Sequence, residues 1–207
     1  MGLKLRFLSW WTPEWFLKRG LNELAFSTTQ GLERVLIKED PKFNNTILHN
    51  TSLKGNLNEN RKIMAINHNE IVEIMINSVG REKALNLGRE AMFNEGLSLG
   101  RKFRDMLGVG DSTEDLILAA KILYKILGIE FTVKDIKNHQ NDVEMIMVVN
   151  RCSLSEYYNG DTCRILSAAD EGVVQGLNPQ IKMNFTERIT EGAPCCLATL
   201  RPEDENK

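Results

Sequence analysis

A chain of 207 residues, 42% hydrophobic and 26% charged, has the length for one full core and the composition of a folded globular protein. Its formal net charge of −2 excludes a general nucleic-acid binder, which needs a basic surface against phosphate. Four cysteines are too few for a disulfide scaffold, which leaves free thiols, metal ligands or packing.

The N-terminus, MGLKLRFLSWWTPEWF, holds all three tryptophans, and residues 1–20 carry four basic side chains against Glu14. It has neither a long apolar run nor a small-residue cleavage site, so a cytoplasmic chain is expected. Thr12-Pro13-Glu14 is a helix start, with proline in the first turn. Two readings stand for Trp10, Trp11 and Trp15: an anchor on a membrane or partner surface, or docking on the protein's own core or a second subunit. Residues 1–40 are read as an aromatic, basic helical extension. The Asn-rich stretch 41–62 is read as a polar linker. The main domain is placed at 63–201, with a short tail at 202–207.

Ile71, Ile74, Met75 and Val79 form a helical stripe. After Gly80 a longer helix follows, with Gly88, Gly96 and Gly100 on roughly one face. Glycine costs about 1 kcal/mol in a helix, so the stripe calls for close packing or for room beside a ligand. Asp111-Ser112-Thr113-Glu114 opens the next helix and Gly128 ends it. The period then changes: IEFTVKDIK and VEMIMVVNRC read as a hairpin, CRILSAADEGVVQGL as a helix, and QIKMNFTERIT with CCLATLRP as a second hairpin. The class is therefore α+β: N-terminal helices, then a ββαββ unit with a four-stranded antiparallel sheet.

Strand and helix ends meet at one edge of such a sheet, so Cys152, Cys163 and Cys196 can converge. Adjacent Cys195 and Cys196 face opposite sides of a strand. Zinc needs four ligands, with Glu187, Glu191 or His139 as the fourth, but no C-x-x-C pair is present. Cys163 near a helix N-terminus, with Arg164 and Arg151 close in sequence, is a candidate nucleophile through a lowered thiol pKa. Asp170, two turns on, is a candidate base. His49, His68 and His139 are scattered and read as surface residues. Buried or idle thiols and a solvated carboxylate are the competing reading.

From about Arg81 to Leu200 the order of these elements resembles the 4-vinyl-reductase domain family, related in fold to small trafficking-complex subunits. The matching features are Gly88, Gly96 and Gly100; Leu127-Gly128-Ile129; Cys163, Leu166, Gly172 and Gly176; and Gly192, Pro194 and Cys196. The terminal part is also similar to the L-2-amino-thiazoline-4-carboxylate hydrolase family, with its cysteine after the first hairpin, cysteine before the last helix and late G…C. The first resemblance implies an apolar ligand pocket and, in some members, zinc on cysteines and an acid. Cys163 and Cys196 stand at matching places; the family's intermediate cysteine falls near Ile189, so that ligand is absent from this chain, and Glu187 lies close by. A small-molecule ligand is thus expected near Gly96, Gly100, Cys152 and Gly172, in a binding or sensing protein that is a homodimer. The second resemblance implies a hydrolase that opens a cyclic C–N or C–S bond, with Cys163, Cys196 and Asp170 near the reacting atoms and Arg164 adding positive charge. A scaffold dimerising through its helices is the third possibility.

Overall fold

The computed structural model describes residues 3–40, 53–137 and 143–202. Two helices lead: α1 (Leu3–Trp10) and α2 (Glu14–Glu39), the second starting after Pro13. α3 runs from Leu57 to Val79. Its start lies inside the stretch expected to be linker, because Asn56 and Glu59 form a reciprocal capping box. The remaining linker, residues 41–52, and the tail from 203 lie outside the described residues, as does His139.

A single residue, Gly80 at φ +83°, separates α3 from α4 (Arg81–Leu107). α5 (Thr113–Leu127) is capped by Ser112, whose hydroxyl accepts from the Asp115 N–H, and stops at Gly128 in the left-handed region. Buried Arg61 of α3 donates to the carbonyls of Lys125 and Ile126 (2.7 and 2.9 Å), which satisfies the last turn of α5 and ties the two helices.

β1 (Ile129–Lys137) and β2 (Val143–Cys152) form the first antiparallel pair, with a bulge at Glu130/Phe131. α6 (Gly160–Leu177), capped by Asn159, crosses to β3 (Ile181–Glu187), which returns through a 3₁₀ turn (Ile189–Glu191) to β4 (Cys196–Pro202). The sheet order is β1-β2-β4-β3, so the last strand enters the centre beside β2 and pairs Val149 with Cys196. The expected α+β class and the four-stranded antiparallel sheet are both present.

One core joins the inner face of the sheet to α5 and to parts of α2, α3, α4 and α6. A second packs α2, α3, α4 and α6, around Leu32, Ile71, Met92 and Ile165. The helical extension is part of both, since Leu5, Leu21 and Leu32 are fully buried.

The glycine stripe of α4 meets a matching stripe on α6. A Cβ on Gly96 would lie 2.0 Å from the Ala169 carbonyl oxygen, and one on Gly172 2.1 Å from that of Phe93. Gly100 lies against Val173 and Gly176 in the same way. These glycines let two backbones touch and leave no room for a ligand, which corrects the expectation for Gly96, Gly100 and Gly172. Gly96→Ala should cost about 3 kcal/mol, the upper end for overpacking, because the obstacle is backbone. A thermal melt should fall by roughly 6–12 °C.

Candidate functional site

Above the inner face of the sheet, α2, α3, α4, α5 and α6 enclose a small cavity of about 90 Å³. Its walls are mostly apolar: Leu24, Met64, Leu99, Val149, Leu166, Val173 and Phe185. Against this background a few polar groups converge.

α6 supplies three of them. Cys163, Ser167 and Asp170 follow the spacing of one helical face and all line the cavity. Asp170 is half-buried and lines the cavity. Desolvation pushes its carboxyl up to about 7, and the neighbouring Glu171 adds to the rise. Glu171 points elsewhere: it pairs with Arg89 at 2.8 Å and accepts from the Phe185 N–H. The Tyr124 hydroxyl, buried without a hydrogen-bond partner of good geometry among the described residues, pulls Asp170 the other way.

Arg188 follows β3 and enters the same cavity, 7% exposed. Its Nε and Nη2 donate to Ser167 Oγ at 3.2 and 3.1 Å, and its guanidinium lies 5.6 Å from the Phe185 ring centroid. Among the described residues no carboxylate pairs with it. A buried cation without a counter-ion is costly, and an anion in the cavity would offset that cost.

His68 is fully buried in the opposite wall. Thr28 Oγ donates to the Leu24 carbonyl at 2.8 Å, so it accepts from His68 Nε2–H at 3.0 Å. Nδ1 then accepts from the Tyr158 hydroxyl at 2.8 Å. Desolvation lowers His68 to about 4, which keeps the ring neutral. The chain Tyr158–His68–Thr28–Leu24 therefore has one direction, and the Tyr158 oxygen presents its lone pairs to the cavity. This corrects the surface reading of His68.

Cys152, Cys163 and Cys196 reach the same cavity, while Cys195 does not line it. Burial raises all three thiols, Cys152 to about 12. For Cys163 burial outweighs the Thr190 hydroxyl and the nearby Arg188, so the thiol is raised where a lowering was expected. Arg164 turns outward to Glu191 at 2.7 Å, and Arg151 pairs with Glu130 on the surface at 3.5 Å. Glu187 is exposed on β3. Among the described residues no group of three or more His, Cys, Asp or Glu side chains is arranged to hold a metal ion. The donor set Cys152, Cys163, Cys196 and Glu187 thus does not fit zinc.

Arg188, Ser167, Tyr158 and His68 were not singled out from the sequence. For His68 a signal existed, since it shares the helical stripe of Met64, Ile71 and Met75. For Arg188 none did, because its surroundings come from a distant helix.

The model of the family described as L-2-amino-thiazoline-4-carboxylic acid hydrolase matches residues 58–199. No curated protein sequence matches the chain. Among solved structures, trafficking protein particle complex subunit 3 from Naegleria fowleri, covalently bound to palmitic acid, superposes with a TM-score of 0.55 at 14% identity. That match covers 70% of this chain and 96% of the other. The phenol-responsive sensory domain of the transcription activator PoxR, with phenol, gives a TM-score of 0.48 at 13% identity, covering 84% of this chain and 89% of that one. The first likeness shows a shared fold.

Proposed function

Because this chain belongs to the L-2-amino-thiazoline-4-carboxylic acid hydrolase family, we propose that its cavity binds a small anionic heterocycle and opens the ring with water. The observation that carries this reading is one cavity holding both an uncompensated buried guanidinium, Arg188, and a carboxyl, Asp170, set near pH 7. The cation fits a carboxylate on the ligand. The carboxyl matches what a general base at neutral pH requires.

In the reaction Asp170 takes a proton from water as its oxygen bonds to the amidine carbon of the ring. The ring nitrogen takes the electron pair of the C=N bond and the second water proton as the C=O forms; the ring carbon–sulfur bond breaks, and the sulfur leaves with the proton held by Asp170, giving a thiol and a urea. The Tyr158 oxygen, its own proton held by His68, accepts an N–H of the ligand and orients the ring. The apolar walls exclude bulk water and strengthen each of these interactions. No thiolate is needed, so Cys163→Ser should retain turnover within about tenfold, and the pocket thiols should react slowly with iodoacetamide at pH 7.5.

The test is incubation with L-2-amino-thiazoline-4-carboxylate, following its loss and the release of thiol. Turnover by wild type that survives Cys163→Ser supports the proposal. Turnover that is lost in a folded Cys163→Ser protein would move catalysis to the thiol. Thermal stabilisation without turnover would favour a second reading, a ligand-binding or sensing protein. The apolar lining supports that reading, and the resemblance of residues 81–200 to the 4-vinyl-reductase domain belongs with it.

A further inference from the structure

The corner between α1 and α2 does not line the cavity, and while Phe16 packs against the core, its other aromatic side chains are exposed. Trp10 is 83% exposed, Trp15 65%, and Trp11 and Phe7 55% each. These include every tryptophan in the protein. The rings gather: Phe7 and Trp11 have centroids 6.0 Å apart. Exposed aromatic side chains concentrated at one corner mark a contact surface.

The corner is built to hold its shape. Leu5 is fully buried beneath α1, and the Lys125 ammonium donates to the Ser9 carbonyl at 2.5 Å, which closes the end of the helix. Thr12 Oγ donates to the Leu8 carbonyl at 2.7 Å, and Pro13 then leads into α2. The aromatic rings are therefore presented on ordered backbone.

Charge decides between occupants. Arg6 and Lys18 pair with Glu114 and Glu14, at 3.5 and 3.0 Å. Exposed Arg19 and the Lys125 ammonium have no carboxylate partner among the described residues. A two-fold contact with a second copy would press these same cations against themselves. Anionic lipid headgroups complement them, and indole rings favour the headgroup region. Among the described residues no helix is long and apolar enough to cross a membrane, so contact would be with the surface.

We propose that this corner, through Trp10, Trp11 and Trp15 with Arg19 and Lys125, docks the protein on an anionic phospholipid surface. The experiment is co-sedimentation with vesicles of phosphatidylcholine alone and of phosphatidylcholine with one quarter phosphatidylglycerol, at low and high salt. Wild type should bind the anionic vesicles at least tenfold more tightly, and lose most of that binding in 0.5 M salt. The triple variant Trp10→Ala, Trp11→Ala, Trp15→Ala should lose binding tenfold or more with an unchanged thermal melt. A readout needing no variant is the tryptophan emission of wild type, which should shift to the blue on anionic vesicles and be quenched by brominated lipid. Absence of binding, equal binding to neutral vesicles, or unquenched emission would overturn the proposal. So would a wild-type dimer, seen by sedimentation velocity, that the triple variant dissolves while no vesicle is bound.

Discussion

Asp170→Asn should abolish turnover, with kcat falling by about 10²–10⁴-fold and KM changing little, since the group acts on the proton and not on ligand affinity. In wild type, kcat/KM should rise with pH through about 7, where the carboxyl ionises. Stability should show the same group. The folded pKa lies above the ordinary value of 3.8, so the folded state holds the proton longer than the unfolded chain does. The resulting cost is absent below pH 3.8, grows as pH rises toward 7, and is constant above. Asparagine removes it. The variant should therefore melt above wild type at pH 8, and the gain should shrink toward pH 4. His68 works in the opposite sense: its folded value near 4 lies below the ordinary 6.5, so stability is lost as pH falls between them. In wild type the two slopes offset each other over that window. In Asp170→Asn the histidine slope stands alone, and acidification should destabilise the variant more steeply than wild type. A pH series of thermal melts and a pH–rate profile check both claims. A pH-independent kcat/KM between 5.5 and 8.5 would remove Asp170 from the mechanism.

Arg188→Met should separate binding from folding. Removing one partner of a buried charge pair costs about 2–5 kcal/mol of binding, so affinity for a carboxylate ligand should drop by roughly 30-fold or more. The free protein should not suffer, because the cation it loses has no counter-ion and methionine fills an apolar wall. An unchanged or higher melting temperature, together with a lost ligand-induced shift, is the expected signature. Arg188→Lys keeps the charge but not the planar fork, and should recover only part of the affinity. Calorimetric titration with L-2-amino-thiazoline-4-carboxylate and paired melts test this. A variant that binds as wild type does would show that Arg188 recognises nothing.

Local chemistry in the sequence carried most of the fold. Ser112, Gly128 and the Asn159–Gly160–Asp161–Thr162 run mark element ends by rules that act within a turn or two. The same kind of rule was present at Asn56 and Glu59, where an Asn-x-x-Glu box starts α3 inside a stretch whose many asparagines suggested a loop. Strand order was not legible, since placing β4 between β2 and β3 is a long-range choice. The site divided along the same line. Cys163 and Asp170 sit on one helix, and their spacing puts them on one face. Arg164 was read as facing the chemistry because it follows Cys163, yet its direction depends on Glu191 across a turn. Arg188 and the Tyr158–His68 pair acquire their roles from contacts far apart in the chain. The sign of the Cys163 shift followed burial, a quantity set by tertiary packing and not by helix position.

The glycine seam between α4 and α6 also governs how anything gets in. With backbone against backbone and no side chain between them, those two helices have no rotamers to rearrange and no slack to slide. The wall that carries Cys163, Ser167 and Asp170 is a fixed plate. A ligand must enter by displacing something else, and the parts tied to the plate mainly by side chains are α2, α3 and the turn after β3. Movement that admits a ligand therefore falls to those parts, while the Asp170 carboxyl stays on the rigid wall.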